Sequence, residues 1–242
     1  MLMALSCEDY LSIVEACRQQ RLRGMEDIRA SQIFSRINCR KAIRWKGNMG
    51  QVIYLTGSPA SGKSTLCGHL ENAVPNLRIY SYSKLLRDHL NRRSGAAVDE
   101  AGIRQHSANL ITRADVEAVD QWLIEQVRLK RLGQHIIIDS HPVTKEDYGF
   151  RVTAFTPEQL RQLDPDVIIC LYVSPEVTRN RIVADSAGRP LPTDFELGLH
   201  ADLQASLAAQ YAFVLEKPCY LLDSSIALDE LTTNICHIAK IT

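Results

Sequence analysis

From Gln51 onward the chain alternates short apolar runs with longer segments in which apolar residues recur every three or four positions. Short runs followed by polar turns predict strands, and the longer segments predict amphipathic helices. The predicted strands are Val52–Leu55, Leu77–Tyr82, His135–Asp139, Val167–Val173 and Cys219–Leu222, and the longer predicted helices are 112–132, 199–214 and 226–238. Strands that alternate with helices form a parallel sheet with helices on both faces. The pattern therefore predicts a three-layer α/β fold around a five-stranded parallel sheet.

Residues 1–48 follow a different pattern, which predicts two helices, the first starting near Ser6 and the second running to Trp45. Up to Lys46 this segment has nine Lys and Arg against five Asp and Glu, a net charge of +4. Two interpretations remain open: a contact for nucleic acid or another acidic partner, and a solvated helix face, which we favour. The sequence predicts a basic helical extension, 1–48, followed by a main domain, 49–242.

The stretch Gln51–Leu66 reads QVIYLTGSPASGKSTL, in which a predicted strand meets the pattern GxxxxGK[ST] and a helix follows. In this context the pattern is a phosphate-binding P-loop. Its residues are Gly57, Ser58, Pro59, Ala60, Ser61, Gly62, Lys63, Ser64 and Thr65. Loop N–H groups and the helix N-terminus attract phosphates, Lys63 adds a positive charge, and the Ser64 hydroxyl is a ligand for Mg²⁺. The stretch predicts binding of ATP or another nucleoside triphosphate.

Asp139 ends the apolar strand in HIIIDSH, residues 135–141. A carboxylate at the carboxyl end of a buried strand beside a P-loop is suited to hold the hydration shell of Mg²⁺. Asp139 is therefore a candidate metal-site and catalytic residue, together with Ser64. His141 is a candidate acceptor contact, with a purely structural histidine as the alternative.

Arginines recur where an acceptor and a mobile lid would lie. Ser83 and Arg87 follow the second strand and Arg104 lies further on, and all three are candidate acceptor-binding residues because guanidinium groups suit phosphates. After the fourth strand come Arg179, a candidate nucleotide contact, and the candidate catalytic pair Arg181 and Arg189 on a Gly- and Pro-containing segment. Arginines that close over a transferred phosphoryl group neutralise its charge.

The turn after the second strand carries Ser81, Tyr82 and Ser83 and no carboxylate, although Asp88 lies one helical turn later. A hydroxyl acceptor commonly needs a carboxylate base, whereas a phosphate acceptor is already ionised at neutral pH. The balance favours a nucleoside monophosphate as acceptor. A hydroxyl acceptor with Asp88 as base remains the alternative.

The composition limits the class of protein and its expected location in the cell. The 242 residues have 45% hydrophobic and 23% charged content and a formal net charge of zero, as in a globular protein that has no general affinity for polyanions. The apolar runs are far shorter than the roughly 20 residues of a membrane span, and the N-terminus does not resemble a secretory signal. The seven cysteines are scattered without a CxxC pair, which predicts reduced thiols. We expect a cytoplasmic protein, and its oligomeric state stays open.

From Val52 to Lys240 the chain resembles the P-loop nucleoside monophosphate kinases, and most closely the archaeal-type adenylate kinases. The resemblance rests on the P-loop, the IIIDSH strand, Leu163–Val177 and the segment with Arg181 and Arg189. The run SKLLR, residues 83–87, is similar to the Gly-Asp-Leu-Leu-Arg motif whose arginine meets the AMP phosphate, with Ser83 and Lys84 in place of Gly-Asp.

The resemblance implies transfer of a phosphoryl group from ATP to a nucleoside monophosphate, AMP first, with Mg²⁺. Two alternatives stay open. One is a kinase for a hydroxyl on a small molecule or a nucleic-acid end, and the other is a nucleotide-dependent switch or assembly ATPase.

Overall fold

The five predicted strands form one parallel sheet in the structure, a computed structural model that describes residues 49–94, 111–184 and 191–241. The described strands are β1 (Val52–Gly57), β2 (Leu77–Ser81), β3 (His135–Asp139), β4 (Val143–Glu146), β5 (Gly149–Val152), β6 (Val167–Tyr172) and β7 (Cys219–Asp223). The parallel sheet has the order β2-β3-β1-β6-β7, and its strands end within two residues of the predicted bounds. The predicted fold class is confirmed, whereas the predicted extension, 1–48, lies outside the described residues.

Helices cover both faces of this sheet. They are α1 (Lys63–Ala73), α2 (Tyr82–Ser94), α3 (Arg113–Lys130), α4 (Pro157–Leu163), α5 (Pro175–Ala184), α6 (Asp194–Leu215) and α7 (Leu228–Ala239). Because side chains alternate along a strand, Val52 and Tyr54 of β1 pack with α3, α4 and α6, whereas Ile53 and Leu55 pack with α1 and α7. The three layers follow from this alternation. Among the described residues, no helix has the length and apolar character needed to cross a membrane.

Two elements were not predicted from the pattern, the antiparallel hairpin β4–β5 and the short helix α4. Strand β4 has one apolar residue in four, so it lacks the periodicity that reveals a strand. Tertiary contacts hold the hairpin in place: the carbonyl oxygen of Val143 accepts hydrogen bonds from His200 Nε2 at 3.0 Å and Gln204 Nε2 at 3.4 Å. Gln204 Oε1 in turn accepts from the Thr56 hydroxyl at 3.2 Å, so α6 joins the hairpin to β1.

The buried carboxylate of Asp115 joins the end of α2 to the start of α3. It caps α3 through the Thr112 backbone N–H at 2.9 Å, and it contacts His89 at 3.1 Å and Arg93 on α2. Burial by itself raises the pKa of Asp115, but the hydrogen bonds from Thr112 and the positive charge of Arg93 outweigh it and lower the pKa to about 2. The ionised carboxylate therefore stabilises the junction of the two helices.

Asp115→Asn is expected to destabilise the protein by about 2 kcal/mol near pH 6, since hydrogen bonds to a charged group are lost. The folded-state pKa lies below the ordinary value of 3.8, so this stability is fully present above about pH 4 and is lost as the pH falls towards 2. Urea unfolding at pH 6, 4 and 3 should show the difference between variant and wild type shrinking. Glu117→Gln, which removes an exposed ion pair with Arg113 on the same helix, is the control and should cost less than about 1 kcal/mol. A difference for Asp115→Asn that does not change with pH would contradict the prediction.

Candidate active site

The loop between β1 and α1 has a backbone that closely approaches its neighbours. A Cβ atom on Gly57, whose φ is 153°, would lie 2.5 Å from the Leu171 carbonyl oxygen and 2.9 Å from Ser61 Oγ. Gly62, the N-cap of α1, has φ 87°, and Ala60 has φ 58°. Positive φ angles are favourable for glycine and strained for other residues. The loop therefore has no room for a side chain at Gly57 and needs a left-handed backbone at Gly62, and it leads directly into the N-terminus of α1.

Polar groups of this loop fit a phosphate. The Lys63 ammonium donates to the carbonyl oxygens of Gly57 at 2.8 Å and Ser58 at 3.3 Å, so it is held across the loop. The side-chain oxygens of Ser58 and Ser61 are buried and have no hydrogen-bond partner within the described ranges. Ser64 and Thr65 are exposed on the first turn of α1, and Pro59 is half-buried. Buried hydroxyls beside a lysine and a helix N-terminus are suited to an anion.

Asp139 lies at the end of β3 in register with Leu55 of β1 and Ser81 of β2. Burial raises the pKa of Asp139 above its ordinary value, and the Lys63 charge and a hydrogen bond from Ser81 offset this only in part. Its Oδ1 atom is buried without a hydrogen-bond partner among the residues described. A nearby cation favours the ionised form of a buried carboxylate, and Asp139 and Ser64 supply the oxygen donors that Mg²⁺ prefers.

The other side of Asp139 leads to α2. The hydroxyls of Ser81 and Ser83 share a hydrogen bond of 3.2 Å, and the half-buried Arg87 follows one turn later, with its Nε 3.8 Å from Asp88 Oδ1. His141 is exposed two residues after Asp139. Ser83 and Arg87 therefore lie on α2, which follows β2, the strand next to the one that ends in Asp139.

The start of α2 is fixed by Asp120, a buried carboxylate of α3 that sequence reasoning did not single out. The Tyr82 hydroxyl donates to Asp120 Oδ1 and the Gln159 amide to Oδ2, both at 2.7 Å. These two hydrogen bonds connect α3 to α4 and to the first residue of α2, which immediately precedes Ser83. An aspartate in the middle of a helix gives no sequence signal of such a role.

Arg181 on α5 contacts the P-loop directly. Its guanidinium donates to the Ala60 carbonyl oxygen at 3.0 Å and to the Ser224 carbonyl oxygen at 2.9 Å. Arg179, two residues earlier, forms an ion pair with Asp194 at the start of α6 and so joins α5 to α6. Arg104 and Arg189 lie outside the described residues.

Ser224 is a site residue that sequence reasoning missed. It is buried in the turn after β7, and its hydroxyl donates to the Ser61 carbonyl oxygen at 2.6 Å. Together with Arg181 it holds the carbonyl oxygens of two successive loop residues, Ala60 and Ser61. The available signal was the polar run Asp223-Ser224-Ser225 at the carboxyl end of a predicted strand, where ligands bind in α/β folds.

Comparisons with known proteins cover the same part of the chain. A family model described as an AAA domain matches residues 56–196, more than half of the chain. An adenylate kinase of Pyrobaculum aerophilum is 23% identical over 173 residues, which are 71% of this chain and 83% of the relative. The resemblance that the sequence motifs indicated is thereby confirmed.

Solved structures with a similar chain path include a shikimate kinase from Bacteroides thetaiotaomicron, with 16% identity and a TM-score of 0.48 over 78% of this chain and 98% of the other. A tunicamycin resistance protein from Deinococcus radiodurans has 11% identity and a TM-score of 0.48 over 80% and 97% of the two chains. The fold assignment rests on the strand order of the chain itself.

Proposed function

The chain belongs to the AAA domain family, and we propose that it is a P-loop kinase that transfers the γ-phosphoryl group of ATP to a nucleoside monophosphate, AMP first. One observation carries the proposal. The three adjacent strands β1, β3 and β2 end, at the same edge of the sheet, in the P-loop, in Asp139 and in the Ser81–Arg87 segment. A phosphate cradle, a carboxylate for a metal and an arginine-bearing helix thus follow one another along this edge, as a reaction of two phosphate-bearing substrates requires.

Each group has a chemical role in this proposal. The loop amides and Lys63 bind the donor phosphates, and Ser64 and Asp139 hold Mg²⁺, which supplies charge neutralisation when bound. Arg87 binds the acceptor phosphate, with Ser83 beside it. Arg181 and Ser224 keep the loop carbonyls turned away from the phosphates, and the charge of Arg181 is close enough to the loop to stabilise the transition state. Catalysis then consists of positioning and charge neutralisation.

The choice of acceptor is supported by the turn between β2 and α2. Ser81, Tyr82 and Ser83 offer no carboxylate there, and Tyr82 is bonded to Asp120 below the site. Asp88 is half exposed and lies beside Arg87, 3.8 Å from its Nε. An acceptor that brings its own ionised phosphate needs no base, and the matched relative from Pyrobaculum aerophilum is named as an adenylate kinase.

Arg87→Ala is expected to raise the acceptor KM about 10- to 100-fold, because a charge-assisted hydrogen bond to phosphate contributes about 1.5–3 kcal/mol. The KM for ATP should change little. Asp88→Asn, its neighbour on the same helix, is the matched control and should leave kcat within about threefold of wild type. A coupled assay of ADP release with AMP, CMP, UMP, GMP and their deoxy forms measures both parameters.

The result that would overturn the proposal is ADP release with none of these acceptors. Loss of activity in Asp88→Asn with Arg87→Ala nearly silent would instead favour a hydroxyl acceptor with Asp88 as base. ATP hydrolysis without transfer to any of these molecules would favour a nucleotide-dependent switch.

A further inference from the structure

A second cleft lies at the outer edge of the sheet, away from the candidate active site. Strand β2 is an edge strand, and the cleft lies between it and α3 with a volume of about 250 Å³. Its lining residues are Arg78, Tyr80, Trp122, Gln126, Lys130 and Gln134. Arg78 and Tyr80 share one face of β2 because they are two residues apart, and Trp122, Gln126 and Lys130 share one face of α3 because they are four residues apart. Gln134 precedes β3 and Arg78 is the second residue of β2, so this part of the lining lies near the amino ends of the strands, whereas the P-loop and Asp139 lie at the carboxyl ends.

The lining combines an exposed aromatic surface with positive charge. The Trp122 side chain is 43% exposed on the wall of the cleft and meets Tyr80 edge to face, with ring centroids 5.9 Å apart. The Arg78 guanidinium lies 5.7 Å from the centroid of the Tyr80 ring. No carboxylate is among the described residues that line the cleft, and Arg78 and Lys130 form no ion pair within the described ranges.

The partly exposed indole and the two cations offer a ligand one aromatic surface and two positive charges. Lys130 is in the last turn of α3, where a cation also interacts favourably with the helix dipole. Arg78, on a strand, has no such interaction. Aromatic faces bind planar rings, and arginine and lysine bind phosphate. The amides of Gln126 and Gln134 add hydrogen-bond donors and acceptors that suit a polar ring.

We propose that this cleft binds a mononucleotide, with the base against Trp122 and the phosphate between Arg78 and Lys130, at a site separate from phosphoryl transfer. The volume lies just below the roughly 300–1,000 Å³ of typical ligand pockets, which suits one nucleotide rather than a chain of them. A nucleotide at the end of a single-stranded nucleic acid has the same chemistry, so the experiment includes both sources. The site goes beyond the proposed kinase reaction and does not depend on it.

Trp122 is the natural reporter, because the chain has only two tryptophans, Trp45 and Trp122. In the full chain with Trp45→Phe, we expect AMP to quench the Trp122 fluorescence saturably, and adenosine and inorganic phosphate each to quench more weakly. The double variant Arg78→Gln/Lys130→Gln should raise the AMP midpoint, which is the AMP concentration that gives half-maximal quenching, at least tenfold. Both residues are exposed, so the variant is expected to fold, which circular dichroism checks.

Two matched variants separate this cleft from other effects. Arg128→Gln removes one positive charge from the same helix without lining the cleft, and the AMP midpoint should not change. Arg87→Ala should also leave the midpoint unchanged, since it alters the proposed acceptor site and not the cleft. Because the titration needs no turnover, its result is independent of whether the protein is a kinase.

Three results would overturn the proposal. The first is no saturable quenching by AMP up to millimolar concentration, and the second is quenching that Arg87→Ala weakens and the double variant does not. The third is saturable quenching by a single-stranded oligoadenylate but not by AMP, which would assign the cleft to nucleic acid.

Discussion

Arg181→Ala is expected to lower kcat for phosphoryl transfer on the order of 10³-fold, with a smaller change in the KM for ATP. Arginines that neutralise the transferred phosphoryl group contribute roughly 10³ to 10⁵ in rate. In this protein the guanidinium also holds the carbonyl oxygens of Ala60 and Ser224, so its removal frees the P-loop as well as taking away a charge. Steady-state kinetics at saturating ATP and acceptor measure the effect.

Two further variants separate the charge of Arg181 from its contacts. Ser224→Ala removes the hydrogen bond to Ser61 and leaves the charge, so it should raise the KM for ATP and lower kcat by about tenfold or less. Arg181→Lys keeps the charge but loses the paired hydrogen bonds to Ala60 and Ser224, so its kcat should lie between those of wild type and Arg181→Ala. If Arg181→Ala and Ser224→Ala lower kcat equally, the arginine acts only by holding the loop in place and not through its charge. If Arg181→Ala stays within tenfold of wild type, the prediction is wrong.

Lys63→Met is expected to lower kcat on the order of 10³-fold, because a preorganised charge aimed at the donor phosphates is lost. It also removes a positive charge that lowers the pKa of Asp139, so the proposed metal site becomes less favourable for an ionised carboxylate. The variant should fold, because the lysine is half-buried and the hydrogen bonds that its ammonium donates to Gly57 and Ser58 lie within the loop.

Thermal shift tests ATP binding in the same variant. Ligand at 100 times its Kd stabilises a protein by about 2.7 kcal/mol, so wild type should show a clear shift with ATP and Mg²⁺ and Lys63→Met a much smaller one. Arg128→Met, which removes an exposed positive charge from α3 outside the P-loop and outside the cleft between β2 and α3, should behave as wild type in this assay and in the kinetics. An ATP shift in Lys63→Met equal to that of wild type would contradict the assignment of Lys63 to the donor phosphates.

The fold was largely predictable because its signals are local. Each central strand is a short apolar run, and the order of strands and helices along the chain is the alternation itself. The hairpin β4–β5 was not predictable, because its four-residue strands bury little and are held by His200 and Gln204, more than 50 residues away in the chain. Helix α4, with only seven residues, is too short to show a helical period.

The candidate site was predictable in part. Motif spacing put Lys63 in a phosphate cradle, and strand ends put Asp139 and the Ser81–Arg87 segment at one edge of the sheet, where the structure has Ser81 in register with Asp139. The roles assigned to these residues remain predictions for the experiments above. The orientation of the Arg181 side chain was not predictable, since any arginine on α5 fits a lid equally well by sequence. Only the packed structure shows that its guanidinium donates to the Ala60 carbonyl oxygen.

Local sequence signals were enough to predict the P-loop, the parallel sheet and the sheet edge that carries the candidate site, because glycine spacing and apolar periodicity act over a few neighbouring residues. The packed structure was needed to show which distant groups complete that edge: Ser224 and Arg181 contact the loop, and Asp120 accepts a hydrogen bond from Tyr82 at the start of α2. It also decided that Arg78 and Trp122 face one cleft. These are single polar or aromatic residues without a repeating pattern, and their partners are set by how the layers pack.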